Sequence, residues 1–450
     1  MSVAVIGGGI AGLAAAWELA TGPEPAEVTV IDPGPLGGRI QTEPFLGHPV
    51  DTGADAFIAR VPDAVDLAAE LGLTDELVAP AARKAMLWVG GRLRPLPEGL
   101  VLGAPARLGP VAASGILSPA GMLRAGLDLV LPPTAPTGDV AVAELVGRRF
   151  GRQVAERLVD PLVGGIHAGR TEELSAEATV PQLLRAARSR RSLLLALRGL
   201  PPSPQGPVFL APRGGMGRLI ERLVEALRDR GVRFEPAAVT TLRLGKGGPV
   251  EVDPVGSFHA AVLAAPAPVA GRLLSTALPE VAAGLNAIRW SSVALATLAY
   301  PRADLRVPDG VSGWLVARAE RRLMTACSFG SAKWPHWSDP ATMVVRVSAG
   351  RSGDERALEL VDEELIDRLQ DEVAGALATK AEPVAGRVVR WRSAFPQYEV
   401  GHAERIERLE AELPANLALA GSSLRGSGIP ACVASGRRAA RLVRAPASGT

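Results

Sequence analysis

Val3-Ala4-Val5-Ile6-Gly7-Gly8-Gly9-Ile10-Ala11-Gly12 stands at the start of the chain and decides how the rest is read. Four apolar residues of strand type run into Gly7-x-Gly9-x-x-Gly12, and the glycines run into an Ala-rich helical segment through Trp17, Leu19 and Ala20. The order strand, turn, helix separates a dinucleotide fingerprint from a chance glycine pattern, a necessary check in a chain with 50 glycines. Gly7 permits the tight turn, Gly9 lets backbone approach a pyrophosphate, and Gly12 lets the helix pack on the strand. The N–H groups at the helix start, around Ile10 and Ala11, and the positive end of the helix dipole are suited to that anion. About twenty residues on, Val28-Thr29-Val30-Ile31 reads as a second strand ending in Asp32, whose carboxylate is placed to accept from ribose hydroxyls.

The length of 450 residues favours two or three lobes over one core. Hydrophobic residues make up 47% and charged residues 21%, the balance of a water-soluble globular chain. Forty-nine basic against 47 acidic residues leave a formal charge of +2, which gives no reason to expect nucleic acid. Cys327 and Cys432 lie far apart, so neither a disulfide framework nor a zinc site is expected, and a reducing cytoplasm suits the pattern. No metal-spaced group occurs among five histidines. With the fingerprint beginning at Gly7, no removable leader is expected. The long uncharged run from Pro254 to Gly271 is broken by Pro266 and Pro268, so no membrane span is expected. The segment after Arg444 reads as a disordered tail.

Further along, Gly37-Gly38-Arg39-Ile40-Gln41-Thr42 and Thr52-Gly53-Ala54-Asp55 form two more loops through which backbone can approach an extended ligand, although hairpin turns would look the same. A helix is expected from Pro62 to about Leu77 and a hairpin around Met86 to Leu93. Residues 95 to about 204 read as a helical insertion rich in Pro, Gly and Ala. It contains Gly164-Gly165-Ile166-His167-Ala168-Gly169 and a basic cluster of Arg185, Arg188, Arg190 and Arg191, either a solvated helix face or a contact for anions or membrane headgroups. Met216, Leu219, Ile220, Leu223, Val224 and Leu227 follow a helical rhythm that stops at Gly231. Strands are expected at 239–244 and 258–265, an antiparallel sheet between 285 and 350, a helix over 354–377 and a short strand at 387–391. The apolar run 417–420 then leads through the Gly/Ser loop Gly421 to Pro430 into a last helix, a second helix start beside which an anion or a flavin edge could sit.

Taken together these motifs resemble the FAD-dependent porphyrinogen oxidases, most closely the soluble bacterial coproporphyrinogen III oxidases, within a wider group that includes monoamine oxidases and phytoene desaturases. The Gly7 to Gly12 fingerprint and Gly37 to Thr42 are common to the wider group. Thr52 to Phe57, Pro161 to Gly169, Lys333-Trp334-Pro335-His336, Pro396 to His402 and Gly426 to Cys432 are more specific. The resemblance implies an α/β fold: a discontinuous Rossmann-like FAD-binding domain (1–60, 205–265, 385–450), a substrate-binding domain (61–94, 266–384) combining an antiparallel sheet with the helical insertion (95–204). It implies that FAD is held by Gly7, Gly9, Ile10, Ala11, Gly12, Asp32, Gly38, Arg39, Thr52, Gly53, Ala54, Asp55, Val239, Trp391, Gly421, Gly428, Ile429 and Pro430. Substrate contacts would involve Arg60, Gly165, Ile166 and His167. Two departures stand out: Val61 where bacterial relatives can carry a basic residue, and Asp32 in place of their usual Glu.

The implied reaction is a six-electron oxidation of coproporphyrinogen III, in which flavin N5 accepts hydride, O2 is the acceptor and H2O2 the product, with no catalytic side chain required. A protoporphyrinogen IX oxidase is the alternative; an amine oxidase, a desaturase or a non-catalytic Rossmann-fold binding protein is a weaker one. A tetrapyrrole site would combine an apolar slot with cationic groups for the carboxylates. Transient contact with a downstream heme-pathway enzyme or with a membrane surface would accord with the arginine cluster, and the expected location is the cytoplasm or its membrane periphery.

Overall fold

The computed structural model describes residues 1–132, 136–201, 205–245 and 248–444, so the tail expected after Arg444 lies outside the described residues. The chain divides into two compact units, one of residues 1–79, 205–289 and 403–450, the other of 80–204 and 290–402.

The first unit is built on β1 (Ser2–Ile6), α1 (Ile10–Thr21), β2 (Glu27–Ile31), α2 (Gly217–Asp229), β3 (Arg233–Glu235), β4 (Ala260–Leu263), β5 (Leu417–Leu419) and α3 (Ile429–Arg444). Its five strands pair in the order β3-β2-β1-β4-β5, parallel throughout, which makes the unit Rossmann-like. Parallel strands covered on both faces read as continuous apolar runs, and Val3, Val5, Val28, Val30, Val262 and Leu417 are all buried. Each such side chain contributes about 1.5–3 kcal/mol of burial. Helix α1 is apolar on nearly every side because β1 and α3 both press on it. A Cβ on Gly436 of α3 would lie 2.0 Å from the Ala11 carbonyl oxygen, so the two helices meet backbone to backbone. Arg441 of α3 donates to Glu18 at 2.8 Å and Arg437 to Glu70 at 2.7 Å, fixing the rotation of α3.

Several local expectations shift here. The helix that begins at Pro62 ends at Glu70, because Gly72 adopts φ +74 and a 3-10 turn (Thr74–Glu76) and short strand (Leu77–Val78) follow. The expected strand over 258–265 splits: Gly256–Phe258 closes a small antiparallel meander with Val250–Asp253 and Thr241–Leu244, whereas β4 enters the parallel sheet. In α2 the apolar rhythm is realised as read, with Leu219, Ile220, Leu223, Val224 and Leu227 buried.

The second unit holds a seven-stranded sheet in the order 385–396, 290–301, 342–349, 324–328, 311–316, 84–88, 93–95. The pairs within 285–350 are antiparallel, as expected, and Val311–Val316 also pairs in parallel with Lys84–Trp88 from outside that stretch. The terminal strand Ala385–Pro396 is longer than expected, and its register with Trp290–Pro301 makes it part of this sheet. One face packs on the helix Asp362–Leu377 through Leu365, Leu369 and Val373, with Val345, Val347 and Trp314 in the same core. The helical insertion packs around Leu145, Phe150, Leu158, Leu183 and Leu197, in a core that also takes in Leu87, Val89 and Ala317. Within the insertion Asp128 and Arg149, both almost wholly buried, pair at 2.6 Å, and Asp128 also accepts from Ser192 Oγ and the Leu193 and Leu194 amides. A buried carboxylate is tolerated when its lone pairs are taken up in this way. Residues 155–164 form a π-type helix containing Pro161, where the wider turn accommodates a residue that cannot donate.

Candidate functional site

In the first unit the three fingerprint glycines have separate reasons to be glycine. Gly7 adopts φ +115, and a Cβ there would lie 2.8 Å from the Ala264 carbonyl. A Cβ on Gly12 would sit 1.9 Å from Gly7 O, so that position is demanded by helix packing. A Cβ on Gly9 would meet no protein atom within 4 Å, and Gly9 has an extended φ of −72. Nothing in the protein forbids a side chain at Gly9; the space there is what an approaching phosphate needs. Gly9 is the N-cap of α1, and no side chain caps the helix, so its first N–H groups point into that space.

Asp32 closes one side. Its Oδ2 accepts from the Gly8 amide at 2.6 Å and its Oδ1 from the Gly34 amide at 2.7 Å. A carboxylate has about four acceptor sites, so these bonds orient Asp32 and leave lone pairs for ribose hydroxyls. The second glycine loop is joined to the first by backbone alone: Gly37 N donates to Gly8 O at 2.8 Å, and Gly38, at φ +59, lies against Gly9. Burial pulls the half-buried Arg39 guanidinium below its ordinary value, and Cys432 beside it pushes the other way. The Cys432 thiol, buried, is pushed up to about 12 against the pull of Arg39 and is therefore an inert thiol at neutral pH.

Thr52 is anchored by its amide to Gln41 O at 3.0 Å, which ties the third loop to the second; Gly53 and Asp55 are partly buried and Ala54 is exposed. Two residues given no site role from sequence hold this region together. Asp51 Oδ1 accepts from Thr42 Oγ1 at 2.5 Å and from the Met216 amide at 2.8 Å, while Gly217 N donates to Thr42 Oγ1 at 2.7 Å, capping α2. In the last loop Gly421 adopts φ +115 and its amide donates to Ser435 Oγ at 3.0 Å; Gly428 precedes α3, whose first residues Ile429 and Pro430 are buried. Val239 is half-buried in the link between β3 and the meander, outside any strand. Arg60 is exposed at the end of the third loop.

Trp391 belongs to the second unit, on the strand 385–396 opposite Val293, in a small apolar group with Phe395, Ala394 and Ala168. Near it runs the turn carrying Gly165, Ile166 and His167. Gly165 and Ile166 are exposed, the latter at 57%. Every carbonyl from His167 to Gly169 is held: Gln397 Nε2 donates to His167 O at 3.0 Å, Ser352 N to Ala168 O at 2.8 Å, and Arg318 Nη2 to Gly169 O at 2.8 Å. Ala168 is left-handed at φ +44, a strained conformation that persists because these bonds over-determine it. The Asp160 carboxyl, buried and accepting from Thr171 Oγ1 at 3.1 Å, is raised by desolvation against the opposing pull of Arg318, 4.0 Å away. The His167 ring packs edge-on to Tyr398 at 5.8 Å, and burial alone pulls it down to about 4, so it is neutral at physiological pH.

All four arginines of the cluster are exposed; Arg188 donates to the Pro136 and Gly138 carbonyls and Arg191 to that of Leu129, so these two stitch chain segments together. Among the described residues, no helix is long and apolar enough to cross a membrane.

Residues 10–444 match the family model described as flavin containing amine oxidoreductase. The chain is 39% identical over 453 aligned residues to a Mycobacterium leprae protein named coproporphyrinogen III oxidase, covering 99% of this chain and 98% of that one. It is 31% identical to the human protein named protoporphyrinogen oxidase, covering 98% and 97%. A crystal structure from Exiguobacterium sp. 255-15, provisionally titled a protoporphyrinogen oxidase, superposes with a TM-score of 0.86 at 29% identity, covering 98% of each chain.

Proposed function

Because the chain belongs to the flavin containing amine oxidoreductase family, we propose that it binds FAD and oxidises coproporphyrinogen III to coproporphyrin III, with O2 as acceptor and H2O2 as product. The observation that carries this reading is end-to-end similarity, at 39% identity, to a protein named for that reaction. The cradle supports the cofactor: open backbone at Gly9, uncapped N–H groups on α1, and an acidic group with spare lone pairs at Asp32 suit a pyrophosphate followed by a ribose.

When bound, the flavin supplies the hydride acceptor that saturated carbon requires. The protein's own residues bind and orient. Gly7, Gly9, Ile10, Ala11 and Gly12 receive the pyrophosphate; Asp32 takes the ribose hydroxyls; Gly38, Arg39 and Thr52 to Asp55 hold the middle of the cofactor. Val239 contacts its adenine, while Gly421 and Gly428 to Pro430 shape the loop and helix start beside its ring. Gly165, Ile166 and His167 meet the substrate. Neither buried cysteine serves as a nucleophile: burial pushes both thiols upward, Cys432 against the pull of Arg39.

The human relative keeps protoporphyrinogen IX as a second reading. Rates on the tetracarboxylate and dicarboxylate porphyrinogens, measured with one enzyme preparation, separate the two. A higher kcat/KM for coproporphyrinogen III supports the proposal; a clear preference for protoporphyrinogen IX overturns it.

A further inference from the structure

We infer that His167 is a specificity-determining contact whose Nε2–H donates a hydrogen bond to a carboxylate of the substrate; this rests on the reading of the chain as a porphyrinogen oxidase. Nδ1 of His167 is buried without a hydrogen-bond partner, whereas Nε2 is neither bonded to the protein nor buried. A buried N–H with no acceptor is rarer in proteins than an under-used acceptor, so the ring proton belongs on Nε2. That leaves a neutral, partly accessible donor on a turn that is held from three sides. Gln397, Ser352 and Arg318 hold its three successive carbonyls, and the left-handed Ala168 fixes its exit.

The flanking groups define what the donor meets. Ile166 is an exposed apolar side chain, and Gly165 beside it is exposed and bears no side chain. An exposed isoleucine next to one neutral donor suits a ligand with an apolar body and acceptor arms. In a porphyrinogen the pyrrole nitrogens are donors and the carboxylates are the acceptors, so the donor selects the arms. Hydrogen bonds to charged groups contribute more than neutral pairs, about 1.5–3 kcal/mol, or roughly a tenfold change in affinity or more.

The test compares the flavin-loaded wild type with His167→Phe, which keeps an aromatic ring against Tyr398 and removes both nitrogens. The readout is fluorescence titration with coproporphyrin III and with its tetramethyl ester. The expected result is about tenfold weaker binding of the acid, unchanged binding of the ester, and partial recovery of acid binding in His167→Gln. Equal weakening of acid and ester assigns His167 to packing and overturns the inference, as does unchanged binding of the acid. If wild type binds neither porphyrin, the functional reading falls and the inference with it. If wild type binds both and ignores the substitution, only the inference falls.

Discussion

Replacing Gly9 by Ala separates what the fingerprint does for the fold from what it does for the ligand. The added methyl would meet no protein atom within 4 Å, and φ −72, ψ 173 is ordinary backbone for alanine. Two opposing effects then act on the apoprotein. Loss of unfolded-state freedom stabilises by about 0.4–1 kcal/mol. Alanine as N-cap of α1 costs about 0.5–1 kcal/mol relative to glycine. The net change in apoprotein stability is therefore within about 1 kcal/mol of zero, yet the methyl occupies the phosphate's approach, and flavin affinity should fall at least about tenfold. Gly12→Ala is the contrasting case. Its methyl would lie 1.9 Å from the Gly7 carbonyl oxygen and 3.3 Å from Ala264 Cβ, with rigid backbone on one side, so destabilisation of about 3 kcal/mol or more is expected. Urea unfolding of the apoproteins and flavin titration measure both quantities. A Gly9→Ala protein that unfolds several kcal/mol more easily, or binds flavin like wild type, refutes the assignment of the open space to the ligand.

Asp32→Asn should cost about 1–3 kcal/mol and weaken flavin binding, because an amide NH2 would face the Gly8 or Gly34 amide that now donates to a carboxylate oxygen; thermal shift with and without FAD reads both effects. Arg149→Met should destabilise by about 3–5 kcal/mol by leaving buried Asp128 without its cation, as measured by urea unfolding; a loss under 1 kcal/mol contradicts the account of the insertion core. For His167 the folded value of about 4 lies below the unfolded value of 6.5, so between these pH values the unfolded chain binds the extra proton and wild type loses stability as pH falls through that window. His167→Phe lacks this term, and its stability relative to wild type should therefore rise from pH 7 to pH 4 by on the order of 1–3 kcal/mol; parallel stability curves contradict the burial of the ring.

What could be read in advance was what short-range pattern decides. The α2 helix is legible because Leu219, Ile220, Leu223, Val224 and Leu227 share one face whatever lies opposite, and β1, α1 and β2 are legible because glycine spacing constrains the turn itself. Pairing across long separations was not. Nothing local in Val311–Val316 indicates a parallel partner at Lys84–Trp88, more than two hundred residues away. Nor does Pro161 announce the π-type turns around it, since a proline inside a helical pattern ordinarily reads as a break. At the candidate site the motif around Gly165 and His167 was visible, but its rigidity was not: Arg318, Ser352 and Gln397 come from remote segments to hold it. The neutrality of His167 is likewise a consequence of burial, which belongs to the assembled unit. Trp391 came from the family resemblance, but its place on a strand of the second unit follows from the register with Val293.

The central claim is tested most directly by mixing the FAD-loaded protein anaerobically with coproporphyrinogen III while recording flavin absorbance. The account predicts bleaching of the flavin on mixing, followed on admission of air by recovery of the flavin spectrum, coproporphyrin fluorescence and H2O2. A flavin that stays oxidised after mixing with this substrate would contradict it.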